Sequence, residues 1–316
     1  MKKISFLCLS IGLALVLVAC VGVRTRDDVM IIVPEGMPAL AQTHLEHTHA
    51  AIGNRPYSIE RVSGPAPLVA AMSSSSHDVI IAPLTVGARL IEGGSAYQCA
   101  AVITWGNLFL ISGEPLSSLD DIQGRELIGF GKGAPAGIVL EVLLRNQEII
   151  PTSLTYASSF QAGLVELVRD PEKIVLTAEP VLSAAMEQFE TLYVLDLNAH
   201  WEEVNDYAIP QACVFVSKSL DSMWVQAYLE SLTMSINTAL SQPELIAELA
   251  ESLDYPFSGT RILDALPRSG IEMVLAVEAR PAIEAFLSVV LEETDTVITA
   301  LPNHEFYYDP SAHDIP

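Results

Sequence analysis

The feature that most constrains this 316-residue chain is an alternation of short apolar runs with longer segments of helical spacing. Mostly apolar runs occur at 29–33, 78–82 and 97–105, with a more mixed segment at 57–62 that reads as a further strand, and most are closed by Pro or Gly. Runs of this kind suit strands buried on both faces, as in parallel sheets covered by helices. Between them the spacing predicts a helix over 39–53, a short helix ending at Met72 and another ending at Glu92. Strands alternating with helices imply right-handed crossovers and a mainly parallel sheet. A hydrophobic content of 50% is enough to fill the core of one large or two medium domains.

Open α/β sheets take ligands in the crevice beyond the carboxyl ends of their strands. The turns at those ends are Glu35-Gly36-Met37, Gly64-Pro65-Ala66 and Pro83-Leu84-Thr85. Glu35, Gly36, Met37, Pro65, Pro83 and Thr85 are therefore candidate ligand-facing residues. Trp105-Gly106-Asn107 closes the run at 97–105. Trp105 and Asn107 are candidates there, and Trp105 and Tyr207 offer aromatic surface for stacking or for hinge packing.

A second unit fills 117–148. It has a polar turn, Leu119-Asp120-Asp121-Ile122-Gln123-Gly124-Arg125, and an apolar run at 126–130. The bend Gly131-Lys132-Gly133-Ala134-Pro135 and an amphipathic run at 138–144 complete it. Strand, glycine-rich loop and helix start bring unpaired backbone N–H groups and a positive dipole end together, a seat for a polar or anionic group. Neither familiar phosphate motif fits. A P-loop needs Ser or Thr after Gly131-Lys132, where Gly133 stands, and Ala134 holds the third glycine position of the dinucleotide fingerprint. From the loop alone, an ordinary strand–helix connection is the stronger reading.

The order of these segments resembles a known family. The polar Leu-Asp-Asp-Ile-Gln-Gly-Arg turn, the strand and Gly131-Lys132-Gly133-Ala134-Pro135 are similar to the start of the second lobe in substrate-binding proteins of ABC importers, nearest the nitrate, sulfonate and thiamine-precursor group. Ala178-Glu179-Pro180 resembles a cleft-lining turn of that family. Tyr207-Ala208-Ile209-Pro210-Gln211 resembles its return to the hinge, and 301–308 its ending. The resemblance implies a two-lobed type II periplasmic-binding-protein fold, each lobe a mainly parallel sheet flanked by helices, with a ligand cleft between them. It implies lobe 1 at 29–106 and 213–316 and lobe 2 at 107–212. It adds Gly131, Lys132, Gly133, Ala134, Pro135, Glu179 and Gln211 to the candidate ligand contacts. The implied partners are a small-molecule ligand and an ABC permease with its ATPase, the protein itself being a monomer without a cofactor.

The first residues read as a leader. Lys2 and Lys3 precede an apolar stretch at 4–18, too short for a confident span. Leu17-Val18-Ala19-Cys20 has the pattern of a lipobox, which as a family motif implies cleavage before Cys20, lipid on its thiol and a tether over 21–28. Anchorage then rests on acyl chains at the extracytoplasmic face of the cell membrane. With Cys8 in the leader, only Cys99 and Cys213 remain. Each lies in an apolar run, and two buried thiols are the expected state, a disulfide being the alternative.

The net charge of −23 excludes a basic nucleic-acid surface and a broad contact with anionic lipid. His44, Glu46, His47 and His49 fall on one predicted helix. An exposed polar face is favoured there over a Zn²⁺ or Ni²⁺ site, because a closed site needs partners that the sequence does not supply. No nucleophile–base order stands out, so a binding protein is favoured over an enzyme on the same fold. A surface lipoprotein with an adhesion or sensing role is the other alternative.

Overall fold

The structure is a computed structural model and describes residues 28–48, 51–294 and 296–310. The leader, Cys20, most of the tether and His49 lie outside the described residues. The chain begins with β1 (Val29–Pro34), helices α1 (Met37–Leu40) and α2 (Thr43–Thr48), and strands β2 (Ala51–Ile52) and β3 (Arg55–Val62). Helix α3 (Ala66–Ser74), β4 (Val79–Pro83), α4 (Leu84–Glu92) and β5 (Tyr97–Trp105) follow. A crossing at 106–108 leads to β6 (Phe109–Ser112), β7 (Glu126–Phe130), α5 (Pro135–Asn146), β8 (Ser153–Ala157), α6 (Phe160–Arg169) and β9 (Ile174–Thr177). Then come α7 (Val181–Gln188), β10 (Tyr193–Asp196) and α8 (Leu197–Asn205). The return crossing at 206–209 ends in β11 (Pro210–Ser217). Helices α9 (Ser222–Ser241), α10 (Pro243–Ser252) and α11 (Gly259–Ala265), strand β12 (Ile271–Leu275) and α12 (Ala276–Glu293) close the chain.

The strands form two sheets. One has seven strands in the order β12-β5-β11-β4-β1-β3-β2, the other five in the order β10-β6-β9-β7-β8. In the first, β1 runs parallel to β3 and β4, as the alternation predicts, but β11 enters antiparallel between β4 and β5. In the second, β7 is parallel to β8 and β9, while β6 is antiparallel to β9 and β10. The α/β arrangement of two sheets is the expected one, but the sheets are mixed rather than mainly parallel: two of the six pairings in the seven-stranded sheet and two of the four in the other are parallel.

The helix predicted over 39–53 is instead two short helices and the strand β2. Ala41 and Gln42 close α1 through turn hydrogen bonds to Met37 and Ala39, so one continuous helix does not form. Glu46 is also not on an exposed face. Arg61 lies 3.7 Å from its carboxylate, and the Tyr255 hydroxyl bonds it at 3.2 Å. Burial raises the pKa of Glu46, opposed by Arg61 and the Tyr255 bond.

In helix α9 the apolar residues Trp224, Tyr228, Leu232 and Ile236, spaced four apart, are all buried. Asp221 caps it, accepting from Trp224 N at 3.0 Å. Each fully buried side chain of this size contributes about 1.5–3 kcal/mol relative to exposure. One apolar core is continuous between the lobes: Val102, Phe286 and Leu287 of the seven-stranded part share it with Leu110, Leu143 and Trp201 of the five-stranded part. Helix α12 lies along this seam, against β5, β11 and β12 on one side and α5 on the other. Cys99 and Cys213 are buried free thiols on the neighbouring strands β5 and β11. Burial, then the Cys99 thiol beside it, pushes the Cys213 thiol up.

Candidate ligand cleft

The topology aims the two sheets' strand ends at each other. Pro210 of β11 pairs with Trp105 at the end of β5, and Ala212 pairs with Pro83 at the end of β4. Across the crossings, Phe109 at the start of β6 pairs with Thr177 at the end of β9. The carboxyl ends of β1, β3 and β4 therefore sit on the crossing edge of one sheet, and those of β7, β8 and β9 on the crossing edge of the other. The crevice between these edges is the place where an open α/β sheet presents a ligand site.

The candidate residues differ in exposure. Glu35, Pro65, Lys132 and Gly133 are exposed; Gly36, Pro83, Trp105, Asn107, Gly131, Ala134, Pro135 and Gln211 are half-buried; Met37, Thr85 and Glu179 are buried. Met37 and Thr85 are only 2% and 4% exposed, so they support the loops more than they offer surface. Pro135 opens α5 at a position where the missing N–H costs nothing. The Gly131 carbonyl accepts from Ala134 N at 2.7 Å, closing the turn beneath the helix start. Lys132 lies with its ammonium 6.0 Å from the Tyr156 ring centroid, at the outer reach of a cation–π contact.

Several polar candidates are already engaged. Gly106 and Asn107 turn with φ of 59° and 60° at the first crossing. The Asn107 side chain holds the Glu179 backbone, accepting from its N–H at 2.7 Å and donating to its carbonyl at 3.4 Å. Gln211 donates from Nε2 to the Gly106 carbonyl. Trp105 donates from Nε1 to Glu272 O at 3.1 Å, which ties its indole to β12. Asn107, Gln211 and Trp105 thus brace the crossings. Tyr207 is 41% exposed beside the return crossing.

Two features escaped the sequence reading. Phe130, the last residue of β7, and Phe160, the first of α6, are half-buried and stand 4.3 Å apart between ring centroids. They put aromatic surface at the cleft edge of the five-stranded lobe. Their positions next to Gly131 and after Ser158-Ser159 were a signal, but only the β7–β8 pairing brings them together. The second is Arg268, which donates from Nε to Glu179 Oε1 at 2.7 Å. Nothing around it in the sequence marks it.

Three ion pairs join the lobes among the described residues: Arg268–Glu179, Arg261–Glu187 at 2.7 Å, and Arg145–Glu293. The hydrogen bonds from Arg261 and from Arg145 lower the pKa of Glu187 and of Glu293 respectively. A separate groove of about 500 Å³ runs along β8 and α6, lined by Ser153, Thr155, Ala157, Ala162, Glu166 and Lys173 among others. All its lining comes from the five-stranded lobe, and its ammonium, Lys173, is occupied by Glu126, Glu166 and Asp170 at 3.5–4.0 Å. The interlobe crevice remains the better candidate, because both sets of strand-end loops converge there.

Among solved structures, an ABC transporter protein from Parabacteroides distasonis superposes with a TM-score of 0.81 at 22% identity, covering 90% of this chain and 99% of that one. The periplasmic aliphatic sulphonate binding protein SsuA from Escherichia coli superposes with a TM-score of 0.72 at 14% identity, covering 90% and 93%. A Candida albicans gene product described as exhibiting the generic periplasmic binding protein structural fold gives 0.54 at 13% identity, covering 86% and 92%. The chain has the periplasmic-binding-protein fold. No protein-family model and no curated protein sequence matches it. Among the described residues, no helix is long and apolar enough to cross a membrane.

Proposed function

We propose that the protein is an extracytoplasmic solute-binding lipoprotein that captures a small organic molecule between its lobes and delivers it to an ABC permease and ATPase. The observation that carries this is the convergence of two sets of strand-end loops on one crevice, bridged by two short crossings. That arrangement suits hinge closure around a ligand. The neighbouring folds named for ABC transport and sulphonate binding support it. The lobes divide at the crossings, 29–106 with 213–316 and 107–212 between them, with 210–212 leading the return strand into lobe 1. The reading is of a binding protein rather than an enzyme, in keeping with polar side chains at the crossings, Asn107, Gln211 and Glu179, that are engaged in structural hydrogen bonds. The working unit is a monomer.

Phe130, Phe160 and Trp105 favour a ligand with aromatic or other apolar surface. Lys132 and the N–H groups of its loop are the donors available to an acidic substituent. A thermal-shift screen of organic sulfonates, carboxylates and pyrimidine-type compounds tests the reading. At least one compound is expected to raise Tm in a saturable way. Lys132→Ala will weaken an anionic ligand strongly, more so in low salt, and a neutral one little. No shift from any compound, together with no small molecule retained in native mass spectrometry, overturns the transport reading in favour of an adhesion or sensing role.

Membrane attachment through Cys20 follows from the Leu17-Val18-Ala19-Cys20 pattern. Wild type is expected to take up labelled fatty acid and sediment with membranes, whereas Cys20→Ala stays unlabelled. Equal labelling of the two forms removes the anchor from the proposal.

A further inference from the structure

Glu179 and Arg268 come from opposite lobes, and each is fixed within its own. The Glu179 carboxylate has no exposed side-chain surface. Its Oε2 accepts from Ser183 N at 3.0 Å and from Ser183 Oγ at 2.8 Å, at the first turn of α7. Its backbone is held on both sides by Asn107, a residue of the first crossing. Arg268 ends a 3-10 turn that follows α11, and its side chain is 33% exposed. It donates from Nε to Glu179 Oε1 at 2.7 Å and from Nη2 to Ser183 Oγ at 3.1 Å. Two residues further on, the Gly270 carbonyl accepts from Trp105 N, immediately before the crossing.

These contacts form one chain, from the crossing to Glu179 and from Glu179 across to Arg268. A change in the angle between the lobes at Gly106-Asn107 has to move Glu179 relative to Arg268. A desolvated carboxylate cannot tolerate that separation as an exposed one can, because it is left buried without its countercharge. The other two interlobe carboxylates keep some contact with water, Glu187 at 40% and Glu293 at 16% exposed against none for Glu179, so losing their partners costs less.

We infer that Arg268 is a positioning residue for lobe closure: its pairing with the buried Glu179 holds the two lobes in their present setting and so fixes how much ligand binding must do to close the cleft. The inference rests on the solute-binding reading only for its consequence. The coupling between pair and lobe angle stands without a ligand. In a two-state equilibrium, a contact made in one setting shifts the populations by its own differential free energy.

The test measures interlobe distance without ligand. Spin labels at Ala70→Cys on α3 and Gln161→Cys on α6, both exposed, report it in the full chain with Cys8 and Cys20 changed to Ser. Cys99 and Cys213 are buried and stay unlabelled. The unsubstituted pair is expected to give one narrow distance. Arg268→Met is expected to broaden it and shift its mean by more than about 2 Å, the scale of a genuine domain rearrangement. Arg268→Lys, which keeps the charge but not the forked geometry, will fall between them. Glu187→Gln will leave the distance unchanged. Should Arg268→Met fold poorly, Glu179→Gln/Arg268→Met removes both charges together and leaves no unpaired charge; it is expected to melt near wild type and still change the distance distribution. An unchanged distance distribution in this folded double variant overturns the inference. Because no ligand enters the measurement, that failure is distinct from a failed compound screen.

Discussion

Gly270→Ala is expected to lower Tm by on the order of 10 °C. An alanine Cβ at this position would stand 1.8 Å from the Trp105 carbonyl oxygen and 3.0 Å from its carbon. Both are backbone atoms, so no rotamer change relieves the overlap. Gly270 also has a φ of +62°, where a side chain costs about 1–2 kcal/mol on its own. The two effects add to a destabilisation of roughly 4 kcal/mol or more, the range reserved for specific structural damage. Relief requires the strand end at Trp105 to move away, breaking its N–H bond to Gly270 O of 2.7 Å and loosening the first crossing. Gly64→Ala is the matched control. Its φ is +75° and nothing lies within 4 Å of the added atom, so it carries the backbone cost alone. Thermal melts of the two variants decide the matter. Equal losses would show that the close approach to Trp105 is not what constrains the crossing.

Gly137→Ala is expected to leave the fold in place and damage binding. Propensity alone favours alanine in α5 by about 1 kcal/mol. The added carbon, however, would lie 2.3 Å from the Gly131 carbonyl oxygen, 2.9 Å from its carbon and 3.3 Å from Lys132 Cα. The helix start and the loop above it cannot both keep their places. The loop is the softer of the two, because Gly131 and Gly133 hold it at positive φ and Lys132 and Gly133 are exposed. It should therefore lift from the helix, carrying Lys132 and the loop N–H groups with it. Amide exchange at Lys132 and Gly133 will accelerate, and affinity for the compound found by screening will fall at least about tenfold, or about 1.4 kcal/mol. Unchanged exchange and unchanged affinity would together place the ligand away from this loop.

Much of the architecture was legible in the sequence because it is local. A run such as 29–33, apolar at every position, five residues long and closed by Pro34, suits a strand covered on both faces. The four-residue stripe of α9 and the Pro135 start of α5 depend only on neighbours in the chain. The order of such segments carried the two-lobed expectation, and the superpositions agree with it. Local signals failed where the chain had alternatives. At 39–53 the polar, histidine-rich spacing suits a helix, yet the chain breaks at Ala41-Gln42 so that Glu46 meets Arg61 of β3 and Tyr255 beyond α10.

Other features were decided by tertiary structure alone. Arg268 and Glu179 are 89 positions apart and acquire a relation only when α11 lies against α7. Phe130 and Phe160 meet because β7 and β8 pair in register. Asn107 and Gln211 are polar residues beside strand ends, the pattern of a ligand contact, but the return of β11 beside β5 sets Gln211 on the Gly106 carbonyl, and the pairing of β6 with β9 sets Asn107 on the Glu179 backbone. Secondary structure follows from hydrogen bonding and side-chain spacing over a few residues, which a sequence carries directly. The partner of a charge or an amide is whatever the completed packing brings within about 3 Å, and that distance exists only once the chain has folded.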